Sequence, residues 1–258
     1  EAALVLLTLF TGSVWLLNKL WLAPRRRQIH AETEAEPKPS ALVEFCLSFF
    51  PVILIVLLLR SFVVEPFRIP SGSMLPTLHI GDFILVNKFT YGIRLPVTHH
   101  MILPLNEPER GDVIVFRHPP DPSRDYIKRV IGLPGDEISY ENRELFINGE
   151  KVRTIPDGRY DGPGIPVLLK SQQFLEDLGE TQHHILHLPE RPQLRGRKWT
   201  IKPGHYFVMG DNRDNSEDSR VWGLVPEDHL VGKAFFVWMS WDVEKSRPDV
   251  SRIGMTIE

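Results

Sequence analysis

Two serines on either side of one glycine are the first residues in this 258-residue chain whose types and spacing suit chemistry. Ser71, Gly72 and Ser73 lie between Pro70 and Pro76, and prolines at both ends exclude a regular helix there. Glycine permits a tight or left-handed turn, on which a serine hydroxyl is presented to a substrate instead of being packed. An ordinary Ser-Gly-Ser surface turn has the same composition, so this stretch alone leaves both interpretations open.

A serine needs a base to become a nucleophile, and a lysine is the candidate here. None of the ten histidines accompanies a Gly-x-Ser-x-Gly motif. Lys128 and Arg129 lie in an apolar segment, residues 126–131, that is typical of a strand, so either face carries a cation between apolar neighbours. Burial lowers the pKa of a lysine, whereas an arginine stays protonated, so Lys128 is the candidate base. The alternative is an amphipathic strand whose lysine reaches water.

Three histidines lie close together at His183, His184 and His187. On a helix they would share a face and form either a metal site or a solvated polar face. No His-Glu-x-x-His pattern supports the metal, and the segment is typical of a surface insertion. We therefore expect neither a metal nor a cofactor.

Residues 210–220 form a dense polar loop after a predicted strand. A calcium loop is disfavoured because arginines interrupt it and the EF-hand spacing is absent. Asp218 is expected to pair with either Arg129 or Arg220 and so to fix the strand that carries Lys128. Ser216 is expected to exchange a hydrogen bond with the lysine amine.

Two apolar stretches near the N-terminus predict membrane-spanning helices over about residues 2–23 and 41–59. Residues 24–40 between them are polar, and Arg25, Arg26 and Arg27 make this predicted loop cytoplasmic by the positive-inside rule. Both chain ends would then lie outside. The 30 basic and 33 acidic residues give no field suited to nucleic acid. The single cysteine, Cys46, lies in the second stretch, so no intrachain disulfide is expected.

The remainder of the chain is typical of short strands joined by turns, with many prolines and glycines. Asn148-Gly149 between two strand-like segments predicts a type I′ hairpin. Residues 153–200 are less regular and are interpreted as part of an insertion. Within it, residues 172–179 are expected to form one or two helical turns. The predicted strands are residues 83–86, 113–116, 126–131, 144–147 and 205–209, and residues 230–241 form an apolar and aromatic stretch.

Three segments together, residues 70–78, 125–136 and 210–220, resemble the conserved boxes of bacterial type I signal peptidase, in its Gram-negative form with two membrane spans. The resemblance implies a mainly β fold, with two N-terminal transmembrane helices followed by an all-β catalytic domain that carries a smaller β-rich inserted subdomain. We expect a membrane anchor at 1–60, a catalytic domain at 61–136 plus 203–258, and the insertion at 137–202.

The resemblance also implies a role for each matching residue. Ser73 would be the nucleophile and Lys128 the general base, with the Ser73 N–H and the Ser71 hydroxyl forming the oxyanion hole. Ser216 would orient Lys128, and Asp218 with Arg129 and Arg220 would brace the site. Shallow pockets for small side chains would be lined by Phe67, Ile69, Met74, Leu78, Tyr126 and Ile127.

The implied activity is removal of signal peptides from preproteins after Ala-x-Ala, in the bacterial inner membrane with the catalytic domain on the periplasmic side. Expected partners are preprotein signal peptides and the lipid bilayer, not nucleic acid or a metal. Two alternatives are a self-cleaving regulator with the same dyad and an inactive membrane-tethered scaffold. The two spans and the lack of a DNA-binding segment disfavour the regulator.

Overall fold

The computed structural model describes residues 2–29, 39–162, 170–192, 196–243 and 245–258. The chain forms two compact units, one of Glu1–Val64 with Arg94–Ile102 and the other of Glu65–Ile93 with Leu103–Glu258. The second unit contains the predicted insertion and most of the predicted catalytic segment, whereas residues 61–64 and 94–102 of that segment fall in the first unit.

The first unit contains two long apolar helical segments. One comprises helix α1 (Ala2–Leu17), a π-helical turn (Asn18–Leu22) and helix α2 (Ala23–Ile29). The other comprises helix α3 (Ala41–Leu58) and a π-helical turn (Leu59–Val63). Both pass the length and composition test for crossing a bilayer, over residues 2–26 and 41–63, with mean hydropathies of 1.6 and 2.7.

The polar loop predicted at residues 24–40 starts later than expected. Helix α2 continues through Ile29, so the first part of that prediction is wrong, and residues 30–38 lie outside the described residues. The reason is that Arg25 and Arg26 are good helix formers and extend the preceding helix.

Helices α1 and α3 pack against one another through aromatic side chains. The ring centroids of Trp15 and Phe50 are 5.5 Å apart. Polar groups within α1 are satisfied locally: the hydroxyls of Thr8 and Thr11 donate to carbonyls four residues earlier, each at 2.8 Å. Such pairing allows a hydroxyl to lie in an apolar environment.

The second unit is built almost entirely from strands, which confirms the expected mainly β fold. An eight-stranded sheet has the order β1-β2-β16-β5-β6-β14-β15, with β17 paired to β16. Its members are β1 (Val64–Arg68), β2 (Asp82–Asn87), β5 (Val113–His118), β6 (Asp121–Gly132), β14 (His205–Met209), β15 (Val225–Pro226), β16 (Leu230–Asp242) and β17 (Arg247–Pro248).

Three smaller sheets complete the strands, with orders β3-β4, β13-β7-β8-β9 and β10-β11-β12. Their members are β3 (Gly92–Arg94), β4 (Met101–Pro104), β7 (Glu137–Glu141), β8 (Glu144–Ile147), β9 (Glu150–Lys151), β10 (Arg153–Arg159), β11 (Gln172–Asp177), β12 (Gln182–His187) and β13 (Arg197–Thr200). Two of these sheets lie within residues 137–200. Short helical turns occupy Arg213–Asn215 and Glu227–His229, and helix α4 is Ser219–Trp222.

The helical turns expected at residues 172–179 are wrong, because this segment contains strand β11. β11 is the central strand of its sheet and pairs with β10 on one side and β12 on the other. Tertiary pairing thus overrides the weak local preference of a polar sequence.

The predicted hairpin at Asn148-Gly149 is confirmed. Asn148 has φ 53° and Gly149 has φ 83°, which are the two positive values of a type I′ turn. The predicted strands at 83–86, 113–116, 126–131, 144–147 and 205–209 all fall within observed strands, and the apolar stretch 230–241 lies in strand β16.

Strand β6 runs between three apolar cores. Ile127 packs against the first, Val130 belongs to the second and Ile131 to the third. Consecutive residues of β6 are therefore buried on both faces of the sheet, including Lys128 and Arg129. The centre of this strand is where the candidate chemistry lies.

Candidate active site

The serine turn, residues 69–78, follows strand β1 directly. Its main chain is fixed by the amide of Ile69, which donates to the carbonyl of Asp82 at 2.8 Å, and by the amide of Leu75, which donates to the carbonyl of Gly72 at 3.3 Å. Gly72 does not adopt the left-handed conformation that the sequence allowed. A Cβ at Gly72 would instead lie 3.0 Å from Cδ1 of Leu75, so close packing is what restricts this position.

The amine of Lys128 reaches the hydroxyl of Ser73. Nζ lies 2.7 Å from Oγ of Ser73, and it also donates to the carbonyl of Ile127 at 2.8 Å. Lys128 comes from the middle of strand β6 and is 4% exposed. Burial lowers the pKa of Lys128 to about 8, although Asp218, Asp211 and Glu217 act in the opposite direction.

A lysine with a pKa near 8 is partly neutral around physiological pH. The neutral amine has a lone pair that can accept the proton of the Ser73 hydroxyl across the 2.7 Å separation. The arrangement therefore provides an oxygen nucleophile and its base without a histidine.

Arg129, the next residue of the same strand, makes a buried ion pair. Its Nε and Nη2 donate to the two carboxylate oxygens of Asp211 at 2.9 and 2.8 Å. Its Nη1 donates to the carbonyls of Gly111 and Glu258, each at 2.7 Å. Both charged partners are fully buried. Burial opposes ionisation of Asp211, but the Arg129 guanidinium more than offsets this and lowers the pKa of the carboxyl.

Of the two partners expected for Asp218, the structure selects Arg220. Nε and Nη2 of Arg220 each donate to Asp218 at 2.8 Å. The second carboxylate oxygen of Asp218 also accepts the amide of Gly210 at 3.0 Å. Although burial raises the pKa of Asp218, the arginine lowers it further. Gly210 is required at its position because a Cβ there would lie 2.5 Å from the carbonyl oxygen of Ser73.

Ser216 lies beside this ion pair. Its enclosed hydroxyl contributes to the low pKa of Asp218, yet it forms no well-aligned hydrogen bond with any described residue. The expected bond from Ser216 to the Lys128 amine is therefore not formed in this structure, and an orienting role stays a prediction.

A cavity of about 430 Å³ opens beside the dyad formed by Ser73 and Lys128. Ser71 and Ser73, the two residues expected to form the oxyanion hole, both line it. The complete lining is Pro70, Ser71, Gly72, Ser73, Asp125, Tyr126, Ile127, Lys128, Asn215 and Glu217.

Two of the six residues expected to form substrate pockets, Tyr126 and Ile127, line this cavity. Ile69, Met74 and Leu78 do not; they belong to an apolar core, at 2%, 0% and 0% exposure, and Phe67 packs against the same core. These side chains anchor the serine turn to the core. Their contact with a substrate stays a prediction.

Sequence reasoning missed Asp211 and Asn212 as contributors to the site. Asp211 takes the role of Arg129 partner that the sequence left open for Asp218. The side-chain amide of Asn212 donates to the carbonyl of Gly72 at 2.9 Å, and its main-chain amide donates to the carbonyl of Ser73 at 3.1 Å. Their only sequence signal is their position at the start of the polar loop.

The three clustered histidines lie on strand β12 and not on a helix. His183 and His187 are buried, whereas His184 is exposed beside Asp157, with 2.9 Å between nitrogen and oxygen. Among the residues that the structure describes, no group of histidine, cysteine or acidic side chains is arranged to hold a metal.

Comparisons with known proteins identify the family of this chain. A family model described as "Signal peptidase, peptidase S26" matches residues 42–241. Signal peptidase I of Pseudomonas aeruginosa is 48% identical, covering 98% of this chain and 96% of that protein. Signal peptidase I of Haemophilus influenzae is 33% identical, covering 93% and 86%.

A crystal structure of a signal peptidase I from Enterococcus faecalis V583 is 27% identical and covers 50% of this chain and 97% of its own, with a TM-score of 0.31, too low to support an argument about the fold. The family match spans most of the chain and includes the serine turn, strand β6 and the polar loop. The chain therefore belongs to the signal peptidase S26 family and is a membrane-anchored serine peptidase.

Proposed function

We propose that this protein removes N-terminal signal peptides from exported preproteins, cleaving after small residues in an Ala-x-Ala context. Relatives that cover nearly the whole chain carry the name signal peptidase I. The observation that carries the proposed mechanism is the 2.7 Å separation between Nζ of Lys128 and Oγ of Ser73, with burial lowering the pKa of the amine to about 8.

The reaction begins when Ser73 Oγ attacks the scissile carbonyl carbon and its proton passes to the neutral Lys128 amine. The resulting oxyanion is stabilised by the Ser73 amide and the Ser71 hydroxyl. Collapse breaks the C–N bond, and the Lys128 ammonium returns the proton to the leaving amine. Water then attacks the acyl-enzyme ester with Lys128 again acting as the base, which releases the carboxylate product.

The substrate binds as an extended strand along β6. Residues 129, 130 and 132 pair with β14, while no described strand pairs with residues 125–127 on that side. These three residues line the cavity beside the dyad. An exposed strand edge next to a nucleophile suits main-chain pairing with a peptide, and shallow walls favour small side chains.

The two apolar helices support a location of this reaction at the bacterial inner membrane, with the catalytic part on the periplasmic side. Arg25 and Arg26 lie at the end of the first span, where basic residues favour the cytoplasmic side. In the second unit, Phe235, Trp238 and Trp241 of β16 are 37%, 41% and 37% exposed, which suits contact with the bilayer interface. The substrate partners are preproteins whose apolar segment is still in the bilayer.

The alanine variants Ser73→Ala and Lys128→Ala test this proposal. Each should lower the cleavage rate of a preprotein by on the order of 10⁴-fold, because each removes one member of a unit that acts together. Lys170→Ala, in an exposed ion pair with Glu190, is the matched control and should keep its activity. A wild-type protein that is folded but does not cleave would instead support the scaffold alternative.

A further inference from the structure

The inserted subdomain is bound to the polar loop by an ion pair that is almost completely shielded from water. Both carboxylate oxygens of Glu176, on strand β11, accept from Arg213, with Nη1 at 2.7 Å and Nη2 in closer contact still. Each side chain is 1% exposed. Burial favours neutral Glu176, but the Arg213 guanidinium outweighs it and lowers the pKa of the carboxyl.

Arg213 directly follows the residue that holds the serine turn. Asn212 is fully buried and donates to the carbonyls of Gly72 and Ser73, at 2.9 and 3.1 Å. Its side-chain oxygen has no hydrogen-bond partner among the described residues. A buried acceptor without a partner is unfavourable, so the amide donor, and not the oxygen, accounts for asparagine at this position.

A second set of contacts links the insertion to the same loop and turn. The amide of Leu186, on strand β12, donates to the carbonyl of Asp211 at 2.9 Å. The Leu186 side chain packs in one buried cluster with Leu75, from the serine turn, and Tyr160. The insertion therefore contacts the nucleophile segment directly as well as through the loop.

Arg213 also connects the insertion to the Asp218–Arg220 ion pair. Its carbonyl accepts Nη2 of Arg220 at 2.6 Å, and Arg220 in turn holds Asp218. The ion pair between Glu176 and Arg213 thus connects the insertion to two parts of the site. One is Asn212, which donates to the main chain of Gly72 and Ser73, and the other is the Asp218–Arg220 pair.

We propose that the insertion is a positioning element for Ser73, in which Glu176 acts through Arg213 to hold Asn212 against the main chain of Gly72 and Ser73. This inference rests on the proposed role of Ser73 as nucleophile. Glu176 touches neither substrate nor reacting atoms, so it is a positioning residue and not a catalytic one. A shift of about 1 Å in Ser73 relative to Lys128 is enough to slow the chemical step strongly.

The test compares Glu176→Gln with Asp136→Asn in the full-length enzyme in detergent micelles. Asp136 is in another ion pair, with Arg110 at 3.0 Å, that joins the turn before β5 to the turn before β7. Cleavage of a short peptide is measured per mole of folded enzyme, with folding followed by circular dichroism.

We expect Glu176→Gln to lower kcat by about 10- to 100-fold with KM changed less than about threefold, because the reacting groups and not the binding cavity are displaced. Asp136→Asn should lose stability but keep kcat. A Glu176→Gln enzyme that is folded and retains the wild-type kcat would overturn the inference.

A second variant protects the test against misfolding of Glu176→Gln, which leaves Arg213 buried without its counter-charge. The double variant Glu176→Leu/Arg213→Met replaces the pair by apolar groups and is expected to fold. It should show the same loss of kcat, and wild-type kcat in the folded double variant would again overturn the inference. If the double variant is also unfolded, Asn212→Asp decides: it keeps the size, removes the amide donor, and must lower kcat in the same way.

Failure of the mechanism itself has a different signature. If Ser73→Ala retains cleavage, Ser73 is not the nucleophile and the proposed function fails. If Ser73→Ala is inactive while the Glu176 variants are fully active, only the positioning role of the insertion fails.

Discussion

Lys128 and Arg129 are adjacent residues of one strand, both cationic and both buried, yet their surroundings differ completely. Arg129 has a fully buried carboxylate partner, Asp211, with two hydrogen bonds between them. Within the described residues, Lys128 has no carboxylate within ion-pair distance, and its amine contacts the Ser73 hydroxyl and the Ile127 carbonyl instead. The charge of Arg129 is compensated by Asp211, whereas the Lys128 ammonium has no such partner and can lose its proton.

The comparison explains why the two positions cannot exchange residue types. A guanidinium keeps its charge even when buried, and so it needs the carboxylate that Asp211 supplies. An ammonium can become neutral, so a site without a counter-charge turns it into a base. The candidate base on one face of β6 therefore lies next to a structural ion pair on the other face.

The largest expected effect comes from removing the charge that compensates Arg129. Asp211→Asn should lower the free energy of unfolding by about 3–5 kcal/mol, because it leaves a buried guanidinium unpaired. Denaturant unfolding measures this. The control is Asp121→Asn, which breaks an exposed pair with Arg124 and should have little effect on stability because water screens that pair. Equal effects of the two variants would show that Arg129 does not depend on Asp211.

At Lys128, removing the charged group is expected to raise the free energy of unfolding instead of lowering it. A lysine whose pKa falls from 10.5 to about 8 on folding destabilises the native state below pH 8, and this penalty disappears as the pH rises from 8 to 10.5. Lys128→Met should therefore be about 3 kcal/mol more stable than wild type below pH 8, with activity lost. Unfolding curves at pH 6.5 and pH 10.5 measure the difference. A gain that does not shrink at high pH would contradict the assigned cause.

The smallest effect sharpens the electrostatic description of the lysine. Burial lowers the pKa of Lys128, and the exposed carboxylate of Glu217 is among the groups that raise it. Glu217→Gln should therefore lower that pKa further and move the acid limb of the pH–rate profile to lower pH, by less than about 0.5 unit because water screens the charge. Glu190→Gln, in the insertion, should leave the limb unchanged. A shift to higher pH for Glu217→Gln would contradict this account.

Sequence and structure agree wherever a local rule decides the outcome. The Asn148-Gly149 turn needs only its own backbone angles, and the apolar strands around the dyad need only their composition. Segment 172–179 was mispredicted because β11 is defined by its two neighbouring strands. Its residue Glu176 is buried because Arg213, distant in sequence, compensates its charge.

The same distinction applies within the site. The serine turn, Lys128 and the Asp218–Arg220 pair have sequence signals in short motifs. Asp211 and Asn212 lie in the same polar loop, but its sequence does not indicate their roles, because these depend on which main-chain groups of the serine turn and which arginine come within reach after folding. Whether a basic side chain on β6 stays charged or can become neutral likewise depends on its partners in the folded structure and not on its position in the strand.

The most direct test of the central claim is the titration of the Lys128 amine itself. With ¹⁵N-labelled lysine in the folded enzyme, and Lys128→Arg to assign the resonance, nuclear magnetic resonance reports its protonation as the pH is raised. The account predicts a midpoint near pH 8 in an enzyme with intact Ser73. A midpoint near 10.5, the ordinary value for lysine, would mean that the amine remains charged at working pH and is not the base for Ser73.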